Sequence, residues 1–137
     1  LASAADGSKP SIWVSSTLMS GYFSAMVLRK ESDMTFSVSF EAPFTPCVEI
    51  GWRVAAAYWG KGYATEAARL ALGVGFSTVG LEEIVSFTAV ENRRSRRVME
   101  RLGMRRNANE DFEHPRVPLG HPLRLHVLYR LAASDFK

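Results

Sequence analysis

The chain has 137 residues, 47% of them hydrophobic and 23% charged, with 17 Lys and Arg against 14 Asp and Glu. That length suits one domain with a core of its own, and the composition excludes wholesale disorder. A lone cysteine, Cys47, excludes a disulfide framework or a cysteine-rich zinc site and points to a reduced, cytoplasmic setting, while no apolar run reaches the roughly 18 residues of a membrane span.

Residues 1–11 are rich in Ala, Ser and Gly and read as a disordered tail, leaving residues 12–137 as a single domain. Ile12–Lys30 is apolar but keeps neither a helical nor a strand period. Met34, Phe36, Val38 and Phe40 alternate with polar residues, which predicts a strand, and Pro43 and Pro46 then break the chain. Val48, Ile50, Trp52 and Val54 alternate with Glu49, Gly51 and Arg53, a second strand. A turn over Ala55–Gly62 ends in Gly-Lys-Gly. It leads into a helix from Tyr63 to about Val79, one face of which carries Ala64, Ala68, Ala71, Leu72, Gly75 and Val79. Ile84–Val90 is a third strand. Asn92 caps an arginine-rich helix with a buried stripe of Ser95, Val98, Met99 and Leu102, and Gly103 ends it. Asn107–Pro122 reads as a polar, proline-broken loop and Leu123–Leu131 as a last strand. The order is that of an α/β (α+β) fold.

Charge is unevenly placed. Residues 91–137 hold 11 basic and 6 acidic side chains, whereas the first 90 are slightly acidic. A basic final third suits an anionic partner, and equally a solvated arginine face.

The turn Trp59-Gly60-Lys61-Gly62-Tyr63-Ala64-Thr65 is where chemistry concentrates. Two glycines let a ligand approach the backbone, and the free N–H groups and dipole of a helix start favour an anion. It is not a P-loop, because Gly62 rather than Ser or Thr follows Lys61. Nor is it the dinucleotide fingerprint, because Thr65 stands where a third glycine belongs. A plain strand-to-helix turn remains the alternative.

Three segments occur in order: Val48-Glu49-Ile50-Gly51-Trp52-Arg53-Val54, the turn Tyr58–Ala67, and Asn92-Arg93-Arg94-Ser95 through Glu100-Arg101-Leu102-Gly103-Met104. Together they resemble the GNAT N-acetyltransferases, in particular the ribosomal-protein N-acetyltransferase-like (RimJ/RimL-type) branch, over about residues 41–131. The resemblance implies a mixed, mostly antiparallel central sheet flanked by helices. It implies acetyl-CoA as co-substrate, an amine as acceptor and no metal. The family has Gln or Arg three residues before the first turn glycine; here Ala57 stands there. It also places further strands and helices before the Val48 strand, so with 47 residues there the N-terminal part is expected to be shortened.

Transfer from a thioester to an amine needs a neutral amine, an oxyanion donor and a proton for the leaving thiolate. The resemblance implies that backbone groups of Trp52, Arg53 and Val54 hold the pantetheine arm. The pyrophosphate would sit on the turn from Trp59 through Gly60, Lys61, Gly62, Tyr63 and Ala64 to Thr65. Glu49 is the candidate general base, acting through a water; its alternatives are a solvent-facing charge or an ion pair with Arg53. The family often carries a tyrosine acid where Met99 stands, which leaves Ser95 or a water as proton donor. Ser95 reads equally as a buried serine bonded one turn back. Asn92 is both an N-cap and a candidate contact to the pantetheine amides. Among Arg93, Arg94, Arg96 and Arg97, one is expected at the coenzyme A 3′-phosphate and the rest in solvent.

The spacings of His114, His121 and His126 match no standard zinc pattern; the segment from Asp111 to Pro122 reads instead as an acceptor-side loop. Two other readings stand beside acetyl transfer. One is a non-catalytic acyl-CoA-binding module. The other is a nucleic-acid domain built on Arg93–Arg106, which lacks the interleaved aromatics such a surface needs. Shortened cover over the sheet also predicts a homodimer, with the apolar stretch Ile12–Leu28 packed on a second copy.

Overall fold

The computed structural model describes residues 23–30, 40, 42–45 and 47–137. The tail at residues 1–11, most of Ile12–Leu28 and nearly all of the predicted strand Met34–Phe40 lie outside the described residues; Phe40 itself is in no strand.

Among the described residues, six strands form one sheet: β1 (Phe23–Lys30), β2 (Val48–Val54), β3 (Glu83–Ala89), β4 (Arg105–Arg106), β5 (Phe112–Glu113) and β6 (Leu125–Ala132). Their order is β1-β2-β3-β6-β4, with β5 also on β6. Every pair is antiparallel except β2 with β3. That pair is parallel because a helix crosses between its strands. This is the mixed, mostly antiparallel sheet with flanking helices that the family resemblance implies. The segment left unassigned before Lys30 contains β1, which runs antiparallel to β2 with a register irregularity between Ser24 and Val27. Inside the predicted loop lies the short strand β5.

Helix α1 spans Tyr63–Gly73, and one π-helical turn over Val74–Thr78 carries it on. The predicted helix to Val79 is therefore two geometries in series. Gly80, at φ +74°, turns the chain away. Helix α2 (Arg93–Arg101) begins at its Asn92 cap, whose Oδ1 accepts from the Ser95 N–H at 3.2 Å.

The two sheet faces differ. Ile50 of β2, Ile84 of β3 and Val127, Tyr129 and Leu131 of β6 pack with Ala68, Ala71 and Leu72 of α1 and with Met99 and Leu102. Alternation sends Glu49, Gly51 and Arg53 of β2, Val85, Phe87 and Ala89 of β3, and His126, Leu128 and Arg130 of β6 to the opposite face. Tyr129 fills the helix-side core while its hydroxyl donates to Glu100 Oε1 at 3.0 Å, which pins α2 to β6.

Candidate functional site

Strands β2 and β3 are in ladder register at one point, Glu49 opposite Val85. Just beyond it, the buried Ser86 hydroxyl donates to the Ile50 carbonyl at 2.8 Å, a side chain taking the place of a ladder bond. From there to Val54 and Ala89 no described ladder pair joins the strands. The facing backbone edges of Gly51–Val54 and Phe87–Ala89 are thereby available to an extended ligand carrying amides.

A cavity of about 610 Å³ opens beside that parting. Trp52, Arg53 and Val54 form its β2 wall, and the turn from Tyr58 to Thr65, Lys61 excepted, forms its floor. Asn92, Arg94, Ser95, Arg97, Val98 and Arg101 close it from the α2 side. Thus Arg53, Arg94, Arg97 and Arg101 all line it, and among the described residues no carboxylate does. Such a cavity selects an anion.

The turn geometry suits that reading. Gly60 and Gly62 adopt φ +77° and +81°, and a Cβ at either would meet nothing within 4 Å, so the space above both is open. The first intrahelical bond runs from Glu66 N–H to the Gly62 carbonyl at 3.0 Å, and no side chain caps the helix. The N–H groups of Tyr63, Ala64 and Thr65 therefore point out of the helix start without an internal partner. A second depression, about 440 Å³, continues from Gly62, Thr65 and Arg101 along Glu66, Arg69 and Leu70.

Two contacts fix the walls to one another. Trp59 Nε1 donates to the Val54 carbonyl at 2.7 Å, and the Arg94 guanidinium lies 3.9 Å from the Trp59 ring centroid. At the other side Asn92 Nδ2 donates to Thr88 Oγ1 at 3.0 Å, so the Asn92 amide ties the end of β3 to the start of α2 as well as capping the helix. The arginines of α2 are visible in the sequence as one run; the aromatic from the turn that stacks on Arg94 is brought to it only by the fold.

The predicted site residues do not all meet. Trp52, Arg53, Val54, Trp59, Gly60, Gly62, Tyr63, Ala64, Thr65, Asn92 and Ser95 share the cavity. Lys61 stands outside it, its Nζ 5.5 Å from the Tyr58 ring. Ser95 is half-buried, and its hydroxyl bonds no described residue, so the back-bonded alternative does not hold. Met99, at the position of the family's tyrosine, is 1% exposed and belongs to the core. Glu49 is half-buried on the opposite sheet face, its Oε1 leaning to 3.7 Å from where a Gly51 Cβ would be. It thus reaches toward the parting from the side away from the cavity floor.

That opposite face carries a group of side chains the sequence did not bring together. Phe40, Phe44, Phe87 and Phe112 pack with His114 and His126, the two imidazoles 4.9 Å apart between centroids. Burial holds the His114 pKa below its ordinary value, helped by the charges of His126, Arg116 and Arg124. Burial lowers that of His126 too, against a hydrogen bond to the Arg124 carbonyl. His121 lies outside this group, its Nδ1 accepting from the Leu123 N–H.

Geometry and charge together describe a basic cavity beside a parted sheet, a shape that suits a long anionic ligand. The profile of the acetyltransferase (GNAT) domain matches residues 4–105. YnaD, an uncharacterized N-acetyltransferase of Bacillus subtilis, is 37% identical over 97 residues, which are 70% of this chain and 55% of that protein. The crystal structure of a GNAT-family acetyltransferase from Bacillus anthracis matches with a TM-score of 0.57 at 36% identity, over 65% of this chain and 52% of that one. RimJ of Mycobacterium smegmatis, solved in complex with CoA-disulfide, matches with a TM-score of 0.57 at 28% identity, over 65% and 41% of the two chains. The chain belongs to the GNAT acetyltransferase family, and it spans about half the length of the relatives it matches.

Proposed function

We propose that this chain transfers the acetyl group of acetyl-CoA to a primary amine, a protein N-terminus or a small molecule, by direct attack through a tetrahedral intermediate. The observation that carries the reading is the carboxylate-free cavity lined by four arginines at the open N-terminus of α1, beside the point where β2 and β3 part. The pyrophosphate sits on the N–H groups of Tyr63, Ala64 and Thr65. The pantetheine arm lies along Trp52–Val54, with Asn92 at its amides, and delivers the thioester to the parting.

The amine approaches from the face opposite the helices. Glu49 relieves it of a proton through a water, and a backbone N–H at the parting meets the oxyanion. The C–N bond forms, the C–S bond breaks, and Ser95, on the cavity side, gives the leaving thiolate a proton that solvent replaces. Arg94, Arg97 and Arg101 are the candidates for the 3′-phosphate. Similarity to RimJ and the motif order support placement in the RimJ/RimL-type branch, working in the cytoplasm.

A thermal shift with acetyl-CoA, followed by free-thiol release across an amine panel, tests the reading. Stabilisation by acetyl-CoA with thiol release on adding an amine is the expected result. A shift without release from any amine leaves a non-catalytic binding module; no shift at all overturns the reading.

A further inference from the structure

Resting on that reading, we infer that Ser86 is a positioning residue of the acetyl-CoA site: its hydroxyl fixes the rung at which β2 and β3 part, and so the stretch of backbone left open to the pantetheine arm. Placement is the first argument. Neither strand ends at the parting. β3 stays paired with β6 at every position from Glu83 with Ala132 to Ala89 with His126, and β2 stays paired with β1 as far as Val54, opposite Phe23. The edge that β2 and β3 share is the one that opens, and its one described rung is Glu49 opposite Val85. The cause therefore lies at that edge rather than in a fraying of either strand. Next to the rung stands the Ser86 hydroxyl, donating to the Ile50 carbonyl at 2.8 Å.

Residue type is the second argument. Ser86 is 1% exposed, and among the described residues it is, tyrosine aside, the one polar side chain that the core encloses. It lies on the helix-side face of β3, two residues after the fully buried Ile84. An apolar side chain would fill that place with no hydrogen bond to satisfy, whereas a buried hydroxyl needs a partner. The partner it takes is a carbonyl of the neighbouring strand. In a continued parallel ladder such carbonyls accept from backbone N–H groups, so a carbonyl held by a side chain is withdrawn from the ladder. Without the hydroxyl, the buried Ile50 carbonyl would call on a β3 N–H further along. That bond would draw together Gly51–Val54 and Phe87–Ala89, the edges that the arm needs. Ser86 is not in the cavity wall, so it acts on the ligand through the two strands.

The test is isothermal titration of the full chain with acetyl-CoA and, separately, with adenosine 3′,5′-bisphosphate, which has the nucleotide end and no pantetheine arm. Ser86→Ala is expected to weaken acetyl-CoA binding by roughly 3- to 10-fold, the scale of one hydrogen bond, and to leave the bisphosphate affinity unchanged. Ser86→Thr keeps the hydroxyl and should restore most of the acetyl-CoA affinity. If Ser86→Ala does not fold, Ser86→Cys is read in its place, a weak donor of similar size for which a smaller loss, again confined to acetyl-CoA, is expected. An unchanged acetyl-CoA affinity in the variant that is read overturns the inference. So does an equal loss for both ligands, the mark of a loosened core, and so does a Ser86→Thr chain that binds no better than Ser86→Ala. Failure of the unmodified chain to bind acetyl-CoA would instead strike the functional reading on which the inference rests.

Discussion

The Arg94 guanidinium stacks 3.9 Å from the centroid of the Trp59 ring, and the same indole donates to the Val54 carbonyl. One side chain thus holds together the end of β2, the glycine turn and the first turn of α2, the three walls of the cavity. Trp59 is 50% exposed, so burial alone does not explain its position. Cation–π contacts at such sites contribute about 0.5–2 kcal/mol. Trp59→Leu is therefore expected to weaken acetyl-CoA binding by roughly 2- to 30-fold through loss of Arg94 orientation. Isothermal titration checks this. Unchanged affinity in Trp59→Leu would mean that Arg94 does not help to hold the cofactor.

Gly62→Val should abolish acetyl-CoA binding. At φ +81° a β-branched residue is strained, and its side chain would project into the open space above the helix start, where nothing in the protein stands within 4 Å. Strain alone is separated from site blockage by Gly120→Ala, at φ +77° in a distant loop. That variant is expected to lose some stability and keep its affinity. Retained affinity in Gly62→Val would rule out the turn as a phosphate cradle.

Glu49→Gln should leave acetyl-CoA affinity intact, because Glu49 does not line the cavity. Turnover should fall by about 10²–10⁴-fold, the usual range for general-base assistance, and most at low pH, where the acceptor amine is mostly protonated. A pH–rate profile identical to that of the unmodified chain would make Glu49 a structural charge. Ser95→Ala separates the two faces of the chemistry: its loss should slow the departure of the thiolate without changing the pH dependence set on the amine side.

Local pattern made β2, α1 and the glycine turn legible, because each has one buried face and a period that shows it. Ala68, Ala71 and Leu72 are the residues α1 buries. What could not be read has physical causes. In β1 the irregularity between Ser24 and Val27 breaks the alternation that would have marked a strand. The π-helical turn at Val74–Thr78 changes the spacing of a helix without changing its composition. Strands of two residues such as Phe112–Glu113 carry no period at all. The ring cluster was hidden for a different reason. Phe87, Phe112 and His126 are well separated in sequence, and the β3–β6–β5 pairing sets them side by side. The turn glycines announced themselves through their own backbone demands; no such signal marks a wall assembled from distant strands.

Stability should fall as the pH drops below about 6.5, and His114 and His126 supply the reason. Both are neutral in the folded chain, where burial lowers their pKa and the proximity of His126, Arg116 and Arg124 lowers that of His114 further. In the unfolded chain histidine titrates near 6.5. Below that value the unfolded state binds protons that the folded rings resist, so protonation favours unfolding and stability rises with pH across the window. The loss begins near the unfolded value, grows as pH falls toward the lowered folded values, and levels off beneath them. Differential scanning fluorimetry from pH 7.5 to pH 5 is expected to show the melting temperature declining through this range, before the carboxylates titrate. A His114→Asn, His126→Gln double variant should flatten the decline, since neither replacement takes up a proton. If the double variant keeps the full slope, the titration lies elsewhere and the two imidazoles are not held neutral by the ring cluster.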